Sequence, residues 1–132
     1  MTTEKQNLKK DTILVVDDHQ KWLDVAKDNA IYYGAKDISY ARTVDEGNRL
    51  FREINPTIVF HDINFDEADM RNFKGLEAIA ELSKYKIPQQ KIIAMSSFRG
   101  LKSLAKKAGA DYFLRKRNFV EDFDEFISLY RK

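Results

Sequence analysis

Short apolar runs alternate with stretches of helical period along the whole chain. Thr12 to Val16 is a continuous β-branched and aliphatic run that stops abruptly at Asp17-Asp18. An uninterrupted apolar run of this length reads as a strand buried on both faces, as in a parallel sheet. Trp22, Leu23, Ala26 and Ala30 follow at the spacing of one helix face, and Gly34 stands where a left-handed residue ends a helix. Ile38 to Ala41 is a weaker second strand. Thr43-Val44-Asp45-Glu46 is a capping-box pattern opening a helix with Leu50, Phe51 and Ile54 inward, and Asn55-Pro56 ends it. Thr57 to Phe60 is the third strand, running into His61-Asp62.

The second half repeats the rhythm. A polar loop from Asn64 to about Lys74 precedes a helix from Gly75 with Leu76, Ile79, Ala80 and Leu82 as its stripe. Pro88 breaks the chain, and Lys91 to Met95 forms a fourth strand ending in Ser96-Ser97. Leu101, Leu104, Ala105 and Ala108 mark a fourth helix, stopped by Gly109. Tyr112 to Leu114 is the fifth strand, with Lys116 at its end. Asn118 is placed to cap a last helix carrying Phe119, Phe123, Phe126, Ile127 and Tyr130. Five such βα units predict a doubly wound α/β fold, a five-stranded parallel sheet with helices on both faces. The polar stretch from Met1 to Lys10 reads as a flexible leader, and residues 11–132 as one domain.

Composition narrows the chemistry. The chain has 132 residues, 43% of them hydrophobic, enough for one core and too few for a second domain. It has no cysteine, which excludes disulfides, thiolate catalysis and cysteine-ligated zinc. Its two histidines, His19 and His61, are too few for a histidine-rich metal site. No apolar run approaches bilayer length and no apolar signal core opens the chain, so no membrane contact and a cytoplasmic location are expected. The formal net charge is +2. The local cluster of Lys102, Lys106, Lys107, Arg115, Lys116 and Arg117 reads as a solvated face rather than a nucleic-acid site.

In open α/β sheets, ligands sit beyond the carboxyl ends of the strands. There the chain places Asp17 and Asp18 after the first strand, Asp62 after the third, Ser96 after the fourth and Lys116 after the fifth. Singly, these are ordinary features: an Asp pair caps a helix, a Ser pair makes a turn, a Lys points to solvent. Together they read as a site. Converging carboxylates repel one another unless a cation intervenes, and a hard oxygen-seeking ion such as Mg²⁺ suits them. The same cation, with Lys116 and the Ser96 hydroxyl, suits a phosphoryl group, and one carboxylate would be its nucleophile.

Ile13-Leu14-Val15-Val16-Asp17-Asp18-His19 resembles the opening strand of response-regulator receiver domains. Pro56 to Asn64 is similar to their phosphoacceptor strand, Gly75-Leu76-Glu77 to the start of their third helix, and Ile92 to Ser97 and Ala108 to Lys116 to their last two motifs. The resemblance spans about residues 12 to 131. It implies a flavodoxin-like fold and a Mg²⁺-dependent phosphoacceptor switch, with Asp62 taking the phosphoryl group from a sensor histidine kinase or phosphotransfer protein. Asp18 would ligate Mg²⁺ directly, Asp17 mostly through water, and Asn64 through its backbone carbonyl. Ser96 and Phe113 would be the switch pair, and Lys116 would meet the phosphoryl oxygens. Such a chain catalyses only its own phosphorylation and dephosphorylation. It would signal through the face of the fourth helix, fifth strand and fifth helix, to a downstream protein or a second copy, with Arg99, Lys102 and Lys106 on the exposed side. Trp22, one turn beyond Asp18, is placed to report metal binding by fluorescence. With no output domain in these residues, the chain reads as a stand-alone regulator or a piece of a larger one.

Three positions depart from the family pattern. Arg117 follows the lysine where receivers usually have Pro, so a trans bond is expected there. The loop after Asp62 is longer than usual and carries Asp66, Glu67 and Asp69, which read as solvated acids. Ser97 stands where Ala or Gly is common, beside the path of water to the phosphoryl group. Two rival readings are a phosphohydrolase with an aspartate nucleophile and a pseudo-receiver. The haloacid-dehalogenase type of phosphohydrolase places a second Asp two residues after the nucleophile, where this chain has Asn64. The pseudo-receiver conflicts with the complete set of site residues.

Overall fold

The computed structural model describes residues 5–65 and 73–130. Five strands, β1 (Thr12–Val16), β2 (Asp37–Ala41), β3 (Ile58–Asp62), β4 (Lys91–Ser96) and β5 (Tyr112–Arg115), form one sheet of order β2-β1-β3-β4-β5. All four pairings are parallel, with Val15 beside Phe60 and Phe60 beside Ile93 at the centre. Helices α1 (Gln20–Tyr32), α2 (Val44–Ile54), α3 (Lys74–Tyr85), α4 (Lys102–Ala108) and α5 (Phe119–Leu129) make the connections. This is the flavodoxin-like arrangement expected. Its topological switch lies between β1 and β3, which opens the crevice at their carboxyl ends.

Alternate residues of the buried strands feed two cores, because successive side chains of a strand point to opposite faces. Ile13, Val15, Ile58, Phe60, Ile93 and Met95 pack beneath α1 and α5, where Phe60, Phe123 and Phe126 meet ring to ring. Leu14, Val16, Val59, Ile92 and Ala94 pack beneath α2, α3 and α4. The predicted stops are where the sequence put them. Gly34 and Gly109 have φ of 91° and 112°, and Asn55 ends α2 at φ 52°. The Thr43 hydroxyl accepts from the Glu46 N–H at 3.1 Å, as the capping box requires. Among the described residues no peptide bond is cis, so Lys116-Arg117 is trans.

Three expectations need correction. The leader does not run free to residue 10: Leu8 is anchored in the domain, while Lys5, Gln6, Asn7, Lys9 and Lys10 around it are exposed. Leu8 is fully buried in the α1/α5 core, and its N–H donates to the Tyr33 carbonyl at 2.9 Å. A lone Leu among polar residues has no period to betray burial. Leu104 is exposed rather than inward. A 3-10 turn, Arg99–Leu101, precedes the short α4, and Leu101 and Ala105 face the sheet, leaving Leu104 turned outward. Asn118 stands at the cap position of α5, yet its side chain makes no capping bond. The 3-10 turn Lys116–Asn118 leads into the helix instead. Asp66, Glu67 and Asp69 lie outside the described residues.

Candidate functional site

At the carboxyl edge of the sheet, β1 and β3 each end in a buried carboxylate, and β5 runs into a buried ammonium. Lys116 is 4% exposed, and its Nζ lies 2.8 Å from Asp17 Oδ2 and 3.0 Å from Asp62 Oδ1. Asp17 and Asp62 are both fully buried. One ammonium is thus shared between two carboxylates. The loops hold them by main-chain donors: the His19 N–H donates to Asp17 Oδ1 at 2.9 Å and the Asn64 N–H to Asp62 Oδ1 at 3.3 Å. The second Asp62 oxygen, Oδ2, is buried without a hydrogen-bond partner.

Burying two carboxylates against one cation leaves charge uncompensated, and proton affinity shows it. Burial pushes Asp62 up to about 8; the Asp17 charge adds to this, and Lys116 opposes it. Burial likewise raises Asp17, against the pull of Lys116. Burial alone would lower Lys116, but the Asp62 and Asp17 charges outweigh it and hold the ammonium charged. A cluster in this condition calls for a further cation.

Asp18 is half-buried beside them. Its Oδ1 lies 3.0 Å from His19 Nδ1, and its carbonyl accepts from the Arg42 guanidinium at 2.9 Å. Ligand atoms of Asp17, Asp18 and His19 lie within 4.8 Å of one another. The donor set fits a hard divalent cation: adjacent carboxylates, two of them buried with raised proton affinity, and one oxygen without a partner. Asp17 thus stands between two groupings: it lies beside Asp18 and His19, and it shares Lys116 with Asp62 as the deeper pair.

Ser96 ends β4 and Phe113 lies on β5. Ser96 is fully buried; its Oγ donates to Asn64 Oδ1 at 2.9 Å and accepts from the Phe98 N–H at 3.0 Å. In this state the hydroxyl is engaged by Asn64 rather than by Asp62. Phe113 is half-buried on β5, packs against the α2/α3/α4 core and lines a cavity of about 240 Å³ with Arg99, Lys102, Tyr112, Arg115 and Glu125. The Arg115 guanidinium is clamped by Asp122 of α5 at 2.7 and 2.9 Å, which joins β5 to α5 beside that cavity.

Several participants escaped the sequence reading. The Asn64 side chain was assigned nothing, yet it holds the Ser96 hydroxyl. His61 is fully buried next to Asp62; its Nδ1–H donates to the Asp62 carbonyl at 2.8 Å. Burial lowers its pKa to about 4, against that hydrogen bond, so the ring is neutral. Trp22 was read as part of an apolar stripe and as a fluorescence reporter near the metal, with no contact to the lysine foreseen, yet Lys116 Nζ stands 5.1 Å from its ring centroid.

Residues 13–128 match the family model of the response regulator receiver domain. The chain belongs to this family. As a receiver domain, it shares its fold with solved structures at low sequence identity. The receiver domain of the histidine kinase CKI1 from Arabidopsis thaliana, solved with Mg²⁺, is 24% identical over 87% of this chain and 89% of that one, with a TM-score of 0.68. A LuxR-family two-component response regulator from an Aurantimonas species is 21% identical over 89% and 85%, at 0.70. The receiver domain of NtrX from Brucella abortus is 23% identical over 88% and 94%, at 0.71. No curated protein matches the chain in sequence. Among the described residues, no helix of the receiver is long and apolar enough to cross a membrane.

Proposed function

We propose that this receiver domain is a phosphoacceptor switch with Asp62 as its nucleophile. The observation that carries the reading is the shared ammonium. Lys116 binds Asp17 and Asp62 at 2.8 and 3.0 Å while Asp62 Oδ2 stays buried without a partner. A carboxylate oxygen of Asp62 attacks phosphorus, and the bond from phosphorus to the donor's imidazole nitrogen breaks. The imidazole keeps the electron pair and later takes a proton. The donor would be a phosphohistidine of a sensor histidine kinase or phosphotransfer protein.

The residues of the site do positioning and charge work, which is most of what phosphoryl transfer needs. Lys116 meets the incoming oxygens. Asp18, Asp17, Asp62 and the Asn64 carbonyl would hold Mg²⁺, which supplies neutralisation of the carboxylates and of the phosphoryl oxygens. The CKI1 receiver has been solved with Mg²⁺ and BeF₃⁻, in keeping with this reading. Ser96 would leave Asn64 and turn to the phosphoryl group, drawing the turn before α4 with it, and Phe113 would follow. The face of α4, β5 and α5 would then present a changed surface to a downstream protein or a second copy. The chain would turn over no substrate beyond its own phosphoryl group. Against a phosphohydrolase stands Asn64, an amide whose oxygen is taken by Ser96 where a second acid is needed.

Intact-mass spectrometry after acetyl phosphate and Mg²⁺ tests the assignment. A single phosphoryl adduct is expected on the native chain and none on Asp62→Ala. Undiminished labelling of Asp62→Ala would remove Asp62 from its role.

A further inference from the structure

We infer that Trp22 is a positioning residue that aims the Lys116 ammonium at the phosphoryl site, an inference that rests on the phosphoacceptor reading above. The ammonium lies against Asp17 and Asp62. The Trp22 ring also meets it, with its centroid 5.1 Å from Nζ. With Lys116 almost wholly buried, that contact is made away from solvent, where the negative face of an indole attracts a cation most strongly.

The ring is itself held. Trp22 lies in the first turn of α1, where its backbone N–H donates to the His19 carbonyl at 3.0 Å. The buried ring of Phe119 backs it at 6.0 Å between centroids. Phe119 opens α5 directly after the turn that carries Lys116. The aromatic pair therefore ties α1 to the segment whose lysine it steadies. Arg117, directly after the lysine, is exposed.

An aromatic face suits this task better than a third carboxylate. During transfer the anion facing Lys116 changes from a carboxylate to a phosphoryl oxygen. A carboxylate in place of the ring would compete for the ammonium and weaken its hold on the phosphoryl group. The ring attracts the cation without competing as an anion, so Lys116 keeps its direction while its partner changes. Exposed Lys21 also sets its Nζ 5.1 Å from the same ring, but from the solvated side chain next in sequence. It serves as a control.

Trp22 is the chain's one tryptophan, so biosynthetic replacement by fluorotryptophans alters this ring alone and nearly preserves its shape. The rate of phosphoryl uptake from acetyl phosphate should fall stepwise from mono- to tetrafluorinated ring, by roughly tenfold at the end of the series. Trp22→Leu should fall at least as far, Trp22→Phe should retain part of the rate, and Lys21→Ala should match the native chain. In the metal-free protein, the ε-methylene protons of Lys116 should be shifted upfield by the ring current and return to ordinary values in Trp22→Leu. Rates indifferent to fluorination in a protein that does take up phosphoryl groups would overturn the inference and leave the phosphoacceptor reading standing. A native chain that takes up none would overturn that reading, and with it the inference. Lys116 proton shifts unchanged in Trp22→Leu would overturn the inference by themselves.

Discussion

Gly75→Ala is a substitution that helix propensity alone would welcome and this structure forbids. Gly75 lies in the first turn of α3 and is buried against the end of β3, where its N–H donates to the Ile63 carbonyl at 3.0 Å. A Cβ at this position would stand 2.6 Å from the Ile63 carbonyl oxygen, and closer still to the Ile63 Cα and the Asp62 carbonyl oxygen. All three are main-chain atoms, so no side chain can swing aside. Either the start of α3 or the backbone of Asp62 and Ile63 must retreat. Overpacking of this kind costs about 1–3 kcal/mol, and contact with backbone on three atoms puts this case at the upper end. The helix gains at most about 1 kcal/mol from losing a glycine. The net loss is about 2 kcal/mol, a fall in Tm of about 5–10 °C for a domain of this size. Because the displaced atoms carry Asp62, phosphoryl uptake should drop by tenfold or more even where the fold survives, as misplacement of about 1 Å costs up to about 10²-fold. Thermal denaturation followed by circular dichroism, with acetyl phosphate labelling at a temperature where the variant is folded, reads both effects. A Tm equal to or above that of the native chain would refute the close approach.

Two further perturbations separate parts of the site from its surroundings. Asp18→Ala should weaken Mg²⁺ binding at least tenfold by isothermal titration, since a hard cation loses a charged oxygen ligand, and should not lower the metal-free Tm, since carboxylate repulsion is relieved; unchanged affinity would exclude Asp18 from the metal site. The Arg115 guanidinium and backbone N–H hold the Asp122 carboxyl below the usual carboxylate range. A carboxyl depressed on folding stabilises the protein at pH above its unfolded value and loses that contribution as pH falls through the folded value. Melting curves taken from about pH 6 down to about pH 2 should therefore show a smaller acid-induced fall in Tm for Asp122→Asn than for the native chain, and parallel curves would refute this pairing.

What the sequence disclosed and what it concealed divide along a physical line. Strands were legible because burial on both faces demands unbroken apolar runs, as in Ile13 to Val16 and Ile92 to Met95. Asp17, Asp62 and Lys116 were legible because parallel topology brings strand ends to one edge whatever the packing. Side-chain partnerships formed across elements left no local trace. The grip of Asn64 on Ser96 joins two loops, and the Trp22 ring reaches Lys116 from another helix. Periodicity also misplaced Leu104: Leu101 lies in a 3-10 turn and not in α4, so the α-helical spacing does not run through it, and Leu101 and Ala105 are buried while Leu104 is exposed.

The packed segment ahead of β1 sets where this domain is to be cut when it is moved. Family similarity begins at residue 13, and a chimaera joined there to a new partner would look complete in alignment. It would lack Leu8, whose side chain fills the space beneath α1 and α5. It would also lack Asp11, whose Oδ1 receives both the Thr57 hydroxyl and the Tyr130 hydroxyl at 2.8 Å. Emptying one buried leucine site costs about 2–5 kcal/mol, a large share of the roughly 5–15 kcal/mol that holds a domain together. Fusion seams, affinity tags and protease sites therefore belong upstream of residue 5, where they leave the floor of the sheet intact.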